Sequence, residues 1–289
     1  MEAGDVTSEP VAEGTVETPD GRRVGYAVHG DTGGRPVVFC HGGPGSRRSL
    51  LGTPALLTDV GVRLVGIDRP GFGLSDPRPD ARVVDGPDDI AVVLRHLGID
   101  RCAVAGVSAG SVHALACGAQ RPELVDQVVV IAGLLPPSWY PDDELIALAA
   151  EDPGAARAVI RRHLEGFAAD IDAAVVAMGT LPDPDGAVYR RPEVKEQFLT
   201  TYREAFRSGI EGAVHDVLLG NLPWGFDLAD VRVPVRWWQG AVDRLTPAAT
   251  VERAIAGLAD HTINLFESEG HTVGITHADE ILRSLAQDH

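Results

Sequence analysis

A serine framed by two glycines, Gly106-Val107-Ser108-Ala109-Gly110, stands between a run of small apolar residues and a helix-forming stretch. A serine on a sharp strand-to-helix turn presents its hydroxyl outwards, and the flanking glycines are needed where a side chain would crowd the turn. A hydroxyl is a weak nucleophile until a base removes its proton. His271, in Glu269-Gly270-His271-Thr272, follows the last apolar run of the chain and is the candidate base. Of the other histidines, His29, His277 and His289 read as surface residues, and His113 falls on the helix expected after Ser108. Such a base needs a carboxylate that fixes its tautomer and stabilises the imidazolium. Asp243, in Gln239-Gly240-Ala241-Val242-Asp243-Arg244-Leu245-Thr246-Pro247, is the candidate. The earlier run Val128 to Gly133 continues into Leu134-Leu135-Pro136-Pro137 and offers no acid in its place. The chemistry these three residue types would perform together is acyl transfer through a serine ester.

Acyl transfer also needs two donors aimed at the developing oxyanion. One expected donor is the backbone N–H of Ala109, next to the nucleophile. The other is expected from His41-Gly42-Gly43-Pro44-Gly45, with Gly43 first and Gly42 beside it, because a glycine lets substrate approach the backbone. His41 itself reads as a buttress of that loop. Asp68-Arg69-Pro70-Gly71-Phe72-Gly73-Leu74-Ser75-Asp76 reads as a compact structural loop, not a dinucleotide fingerprint, for it lacks the third glycine and the following helix. With no G-K-[ST] and no H-E-x-x-H, neither a cofactor nor a metal is expected.

These residues must be positioned by the elements between them. Pro19-Asp20-Gly21 separates two extended segments, Val16 to Thr18 and Arg23 to Val28, and predicts a hairpin. Short Val/Ile-rich runs without strict alternation follow, at Pro36 to Cys40, Val62 to Ile67, Cys102 to Val107 and Val128 to Ala132. Runs of that kind suit parallel strands covered on both faces. Helices are expected at Pro87 to Leu97 and Ser108 to Gln120. Strand-like sequence then stops, and Asp142 to Ala150, Ala155 to Phe167 and Pro192 to Ser208 are amphipathic helical segments. Alternation resumes with a strand at Val233 to Trp238, a helix at Pro247 to Leu258, a strand at His261 to Phe266 and a helix at His277 to Ala286. The expected architecture is α/β, a mostly parallel eight-stranded sheet flanked by helices. Residues 1–133 and 233–289 would form its core, and 134–232 an inserted helical unit.

Composition narrows the partners. Twenty-five Lys and Arg against forty-two Asp and Glu give a net charge of −17, which lacks the cationic surface that nucleic acid or an anionic membrane requires. No run of apolar residues is long enough to span a bilayer. The start, Met1-Glu2-Ala3-Gly4-Asp5, has no apolar core of a signal peptide, and the first dozen residues are polar enough to be disordered. Three cysteines in apolar surroundings, Cys40, Cys102 and Cys117, read as small buried hydrophobes of a reducing, cytoplasmic compartment. A small-molecule substrate is the expected partner, and oligomeric state is left open.

Taken in order, His41 to Gly45, Asp68 to Gly73, Gly106 to Gly110, Asp243 and His271 make the chain resemble the α/β-hydrolase superfamily over nearly its whole length. The Ser–acid–His order is that superfamily's order. The His-Gly-Gly-Pro-Gly loop looks like that of the proline iminopeptidase branch. That branch usually carries Trp where this chain has Ala109, and Asp-Gln-Arg-Gly where it has Asp68-Arg69-Pro70-Gly71. The chain is in those respects more similar to bacterial capped esterases. The resemblance implies a serine hydrolase of a small ester, thioester or amide, with the insertion as a cap over the site. An iminopeptidase-type aminopeptidase, a non-hydrolytic lyase or cyclase, and a ligand-binding protein that keeps the same residues stand as alternatives. Trp139, Tyr140, Trp224 and Phe226 would then be candidates to line the pocket, and Glu204, Glu211 or Asp216 to meet a substrate amino group.

Overall fold

The computed structural model describes residues 9–287. One eight-stranded sheet organises them: β1 (Ala12–Glu17), β2 (Arg23–Gly30), β3 (Arg35–Cys40), β4 (Val62–Ile67), β5 (Cys102–Val107), β6 (Val125–Ile131), β7 (Val235–Gly240) and β8 (His261–Phe266). The spatial order is β1-β2-β4-β3-β5-β6-β7-β8, with β1 and β2 antiparallel to their neighbours and every later pairing parallel. Helices α1 (Pro54–Asp59), α2 (Gly86–His96) and α3 (Gly110–Gln120) follow the early strands. Between β6 and β7 lie only helices among the described elements: α4 (Glu144–Glu151), α5 (Pro153–Ala169), α6 (Ile171–Met178), α7 (Asp185–Tyr189), α8 (Pro192–Ala205) and α9 (Glu211–Gly220), with short 3₁₀ turns at either end. Then come α10 (Ala248–Ile255), α11 (Val273–Thr276) and α12 (Ala278–Gln287).

The central strands lack polar–apolar alternation because both of their faces are covered. Val104, Val128 and Val130 enter one core with Leu115 of α3 and Val93 of α2. Their chain neighbours Ala103, Ala105, Val129 and Ile131 enter a second core with Leu57 of α1 and Leu282 of α12. Neighbouring side chains on a strand point to opposite faces, so an unbroken apolar run is what a doubly covered strand requires. A third core lies inside the insertion, where α4, α5, α8 and α9 pack Ala149, Ile160, Leu164, Ala205 and Val214 together. Phe72 of the loop after β4 is inserted into that third core, and Gly71 lies so close to Gly212 that a Cβ on it would sit 2.8 Å from the Gly212 Cα. The compact loop is thus the seat on which the helical insertion rests.

Two expectations need correction. The segment expected to be disordered falls mostly on residues 1–8, outside the described residues, but β1 already begins at Ala12. His29 is not at the surface. It lies inside β2, buried, with both ring nitrogens lacking a partner among the described residues, and burial lowers its pKa to about 4. His289 lies outside the described residues, while His113 falls on α3, as expected, and is half-buried. All three cysteines are buried thiols, and burial pushes Cys40 and Cys102 up to about 12. No described helix is long and apolar enough to cross a membrane.

Candidate active site

Ser108 sits between β5 and α3 with a φ of 51°, a left-handed conformation that a serine adopts only where its surroundings enforce it. Its N–H donates to the Ile131 carbonyl at 2.9 Å, and the Ser111 hydroxyl donates to the Ser108 carbonyl at 2.6 Å. The two glycines of the motif are close-approach positions. A Cβ on Gly106 would lie 2.5 Å from the Gly110 oxygen, and one on Gly110 would lie 2.0 Å from the Cys40 oxygen. The turn is therefore wedged between its own helix and the end of β3, and its strain is held by packing.

His271 lies on the loop between β8 and α11. Its Nε2 is 3.0 Å from the Ser108 Oγ, and its Nδ1 is 2.9 Å from the Asp243 Oδ2. Asp243 follows β7 and is buried. It accepts from the Leu245 N–H at 2.8 Å, the Thr246 N–H at 3.1 Å, the Thr246 hydroxyl at 2.7 Å and the Gln239 amide at 3.2 Å. Burial pushes its pKa up, but the hydrogen bond and charge of His271 and the Thr246 donors outweigh burial and hold it below the usual carboxylate range. An ionised carboxylate on Nδ1 fixes the N–H there and leaves the Nε2 lone pair facing the serine hydroxyl. The His271 loop is itself pinned from the insertion: Asp185 of α7 accepts from both the N–H and the hydroxyl of Thr272, at 2.9 Å each. Gly270 passes so near Asp185 that a Cβ would lie 2.4 Å from the carboxylate.

Gly43 and Ala109 face one another across the site, with an ideal Gly43 Cβ only 3.1 Å from that of Ala109. The peptides that lead into Gly43 are anchored by Arg69, from the loop read as structural. Its guanidinium donates to the His41 carbonyl at 2.5 Å and the Gly42 carbonyl at 3.1 Å. It also forms a two-pronged pair with Asp216 of α9, at 2.7 and 2.8 Å. In a planar trans peptide the C=O and the next N–H point in opposite directions, so anchoring the Gly42 carbonyl turns the Gly43 N–H away from Arg69. Gly42 is thus the anchored acceptor, its carbonyl also meeting the His41 Nδ1 at 2.8 Å. His113 approaches the same Asp216 oxygen at 3.2 Å. Although burial favours the neutral acid, the Arg69 charge and the His113 hydrogen bond keep Asp216 ionised, far below the usual carboxylate range. No local motif announces this network, whose charged partners lie 147 residues apart.

A cavity of about 530 Å3 opens over Ser108 and His271. Trp224 and Phe226 do not line it; they are buried in the core beside α3, with the Trp224 ring N–H donating to the Gly220 carbonyl at 3.2 Å. Trp139 packs against that core, and Tyr140 lines a neighbouring cavity of about 250 Å3 that Gly43 and Ala109 border. The walls over Ser108 come instead from Phe167, Met178, Tyr189, Phe198 and Tyr202 of the insertion. The three acids expected to await an amino group are all engaged. Glu204 pairs with Arg47 at 2.7 Å, Asp216 with Arg69, and Glu211 with Arg161.

Residues 35–278 match the family model described as alpha/beta hydrolase fold. The chain belongs to that family. A probable proline iminopeptidase from Streptomyces coelicolor is 35% identical over 130 residues, a stretch covering 42% of this chain and only 40% of that one. A proline iminopeptidase from Heyndrickxia coagulans is 28% identical over 280 residues, covering 93% of this chain and 96% of that relative. Among solved structures, a thermophilic esterase from Thermogutta terrifontis superposes with a TM-score of 0.68 at 19% identity, covering 96% of each chain. An esterase from Exiguobacterium antarcticum gives a TM-score of 0.65 at 19% identity, covering 95% and 98%. These structures share the α/β-hydrolase fold with the chain.

Proposed function

We propose that this α/β-hydrolase-fold protein is a serine hydrolase that cleaves a small-molecule ester, thioester or amide through an acyl-enzyme on Ser108. Family membership and relatives named as iminopeptidases support hydrolysis in general. The observation that carries the specific reading is the unbroken hydrogen-bonded line Ser108 Oγ, His271 Nε2, His271 Nδ1, Asp243 Oδ2, with steps of 3.0 and 2.9 Å.

In this mechanism His271 takes the Ser108 proton as the oxygen attacks the substrate carbonyl carbon. The resulting imidazolium is stabilised by the ionised Asp243. The tetrahedral oxyanion is held by the N–H groups of Gly43 and Ala109, the latter at the N-terminal end of α3, where the helix dipole adds positive potential. His271 then gives its proton to the departing oxygen, sulfur or nitrogen. A water deprotonated by the same ring attacks the acyl-enzyme and releases the acid. Residues 134–232 act as a helical cap over a core of residues 1–133 and 233–289, a division supported by the insertion's walls above Ser108. Pre-steady-state hydrolysis of p-nitrophenyl acetate tests the reading. A burst of one p-nitrophenolate per protein, abolished in Ser108→Ala and His271→Ala, is expected. Equal turnover by the wild type and a folded Ser108→Ala would overturn it.

A further inference from the structure

The walls of the chamber over Ser108 form a continuous run of rings. Phe167 meets Tyr202 edge-on at a centroid distance of 5.1 Å, Tyr202 meets Phe198 at 5.3 Å, and Phe198 meets Tyr189 at 5.4 Å. No Asp, Glu, Lys or Arg stands among the described residues lining the chamber. The phenols add no charge, because burial pushes the pKa values of Tyr189 and Tyr202 above their ordinary value. Asp185 is turned onto Thr272 and Asp243 onto His271, while Glu204, Glu211 and Asp216 are held by arginines. A substrate ammonium entering here would lose its hydration and meet no carboxylate among the described residues lining the chamber. Aromatic faces return only part of that loss to a cation, so dehydration wins. A neutral apolar group gains from the ring-lined part of these walls, while Ser49, His163, Gln197 and Thr201 line the rest of the chamber with uncharged or weakly basic polar groups. A volume of about 530 Å3 gives such an apolar group room for on the order of fifteen non-hydrogen atoms.

Resting on the serine-hydrolase reading, we propose that the substrate is a neutral ester whose bulky group, an aryl or branched alkyl chain, fills this aromatic chamber, and that peptides with a free N-terminal amine are not substrates. Among the described residues no carboxylate lines this chamber to receive the amine.

The test compares kcat/KM for p-nitrophenyl 3-phenylpropanoate with the same ester carrying an α-ammonium, the p-nitrophenyl ester of phenylalanine, and with proline 2-naphthylamide. The neutral ester is expected to win over its ammonium counterpart by at least about thirtyfold, with the naphthylamide slower still. Phe198→Ala is expected to lower the phenylpropanoate-to-acetate ratio of kcat/KM by about three- to tenfold, the effect of removing one ring from the wall. An ammonium ester or naphthylamide turned over as fast as the neutral ester would overturn the proposal, and so would a ratio unmoved by Phe198→Ala. Labelling of the same preparation by a fluorophosphonate separates the two levels. An enzyme labelled on Ser108 that prefers amines loses only the neutral-substrate proposal. An enzyme neither labelled nor active on any ester loses the hydrolase reading and this one with it.

Discussion

Arg69→Lys is the substitution that separates the aiming of the oxyanion donor from the charge chemistry around it. Lysine keeps a positive charge beside the buried Asp216, so no carboxylate is stranded. It cannot keep the geometry. The arginine fork reaches both oxygens of Asp216 and the carbonyls of His41 and Gly42 together. An ammonium has three donors on one atom and no fork. Its charge stays with Asp216, the Gly42 carbonyl loses its guanidinium donor and keeps only the His41 Nδ1, and the Gly42–Gly43 peptide is held less firmly. Removing an oxyanion donor outright costs about 10²–10³ in kcat, so a donor left in place but poorly aimed costs about ten- to a hundredfold. KM should stay within about threefold, because the aromatic chamber is untouched. Losing charged hydrogen bonds to two buried carbonyls should destabilise the fold by about 1–3 kcal/mol, a drop of several degrees in Tm. Steady-state kinetics on a neutral p-nitrophenyl ester and a circular-dichroism melt measure both. A folded Arg69→Lys protein with wild-type kcat, or one whose whole loss falls on KM, would refute the reasoning.

Three further outcomes follow from named residues. Gly270→Ala places a methyl against the Asp185 carboxylate and displaces the His271 loop, so kcat should fall at least about tenfold while the fold survives, as kinetics and a melt would record. Trp224→Ala removes a core ring and should cost about 3–5 kcal/mol in a denaturant titration, with kcat/KM of the folded fraction little changed. His29 is buried neutral with a pKa of about 4, against about 6.5 when unfolded, so its contribution is present above pH 6.5 and lost as pH falls towards 4. It amounts to about 3 kcal/mol, and His29→Phe should flatten the decline of Tm between pH 7 and pH 4.

The site was legible where its chemistry is local, and illegible where it is made by folding. Ser108, its glycines and the placement of Asp243 and His271 after strands are written in short stretches whose spacing reflects turn geometry. The central strands were equally plain, since burial on both faces leaves unbroken apolar runs. β1 was only partly visible, because Ala12 to Glu17 is largely exposed and is held to β2 by backbone pairing, which leaves no apolar pattern. His29 misled for the converse reason: a polar residue in a short strand reads as an outer position, yet β2 is flanked by β1 and β4 and its residues from Val24 to His29 are buried. The arginine that anchors the His41 and Gly42 carbonyls and the acids that pin the loops depend on partners across the insertion, and no spacing encodes those. Aromatic pairs such as Trp224 and Phe226 suit a core as well as a pocket, and here they are core.

The central claim, an activated Ser108, is tested most directly by intact mass after treatment with a fluorophosphonate, for the wild type and Ser108→Ala side by side. A single adduct on the wild type, mapped to Ser108 and absent from the mutant, is the predicted result. A folded wild type that takes no adduct and shows no p-nitrophenyl acetate burst, or a Ser108→Ala protein labelled as readily as the wild type, would contradict it.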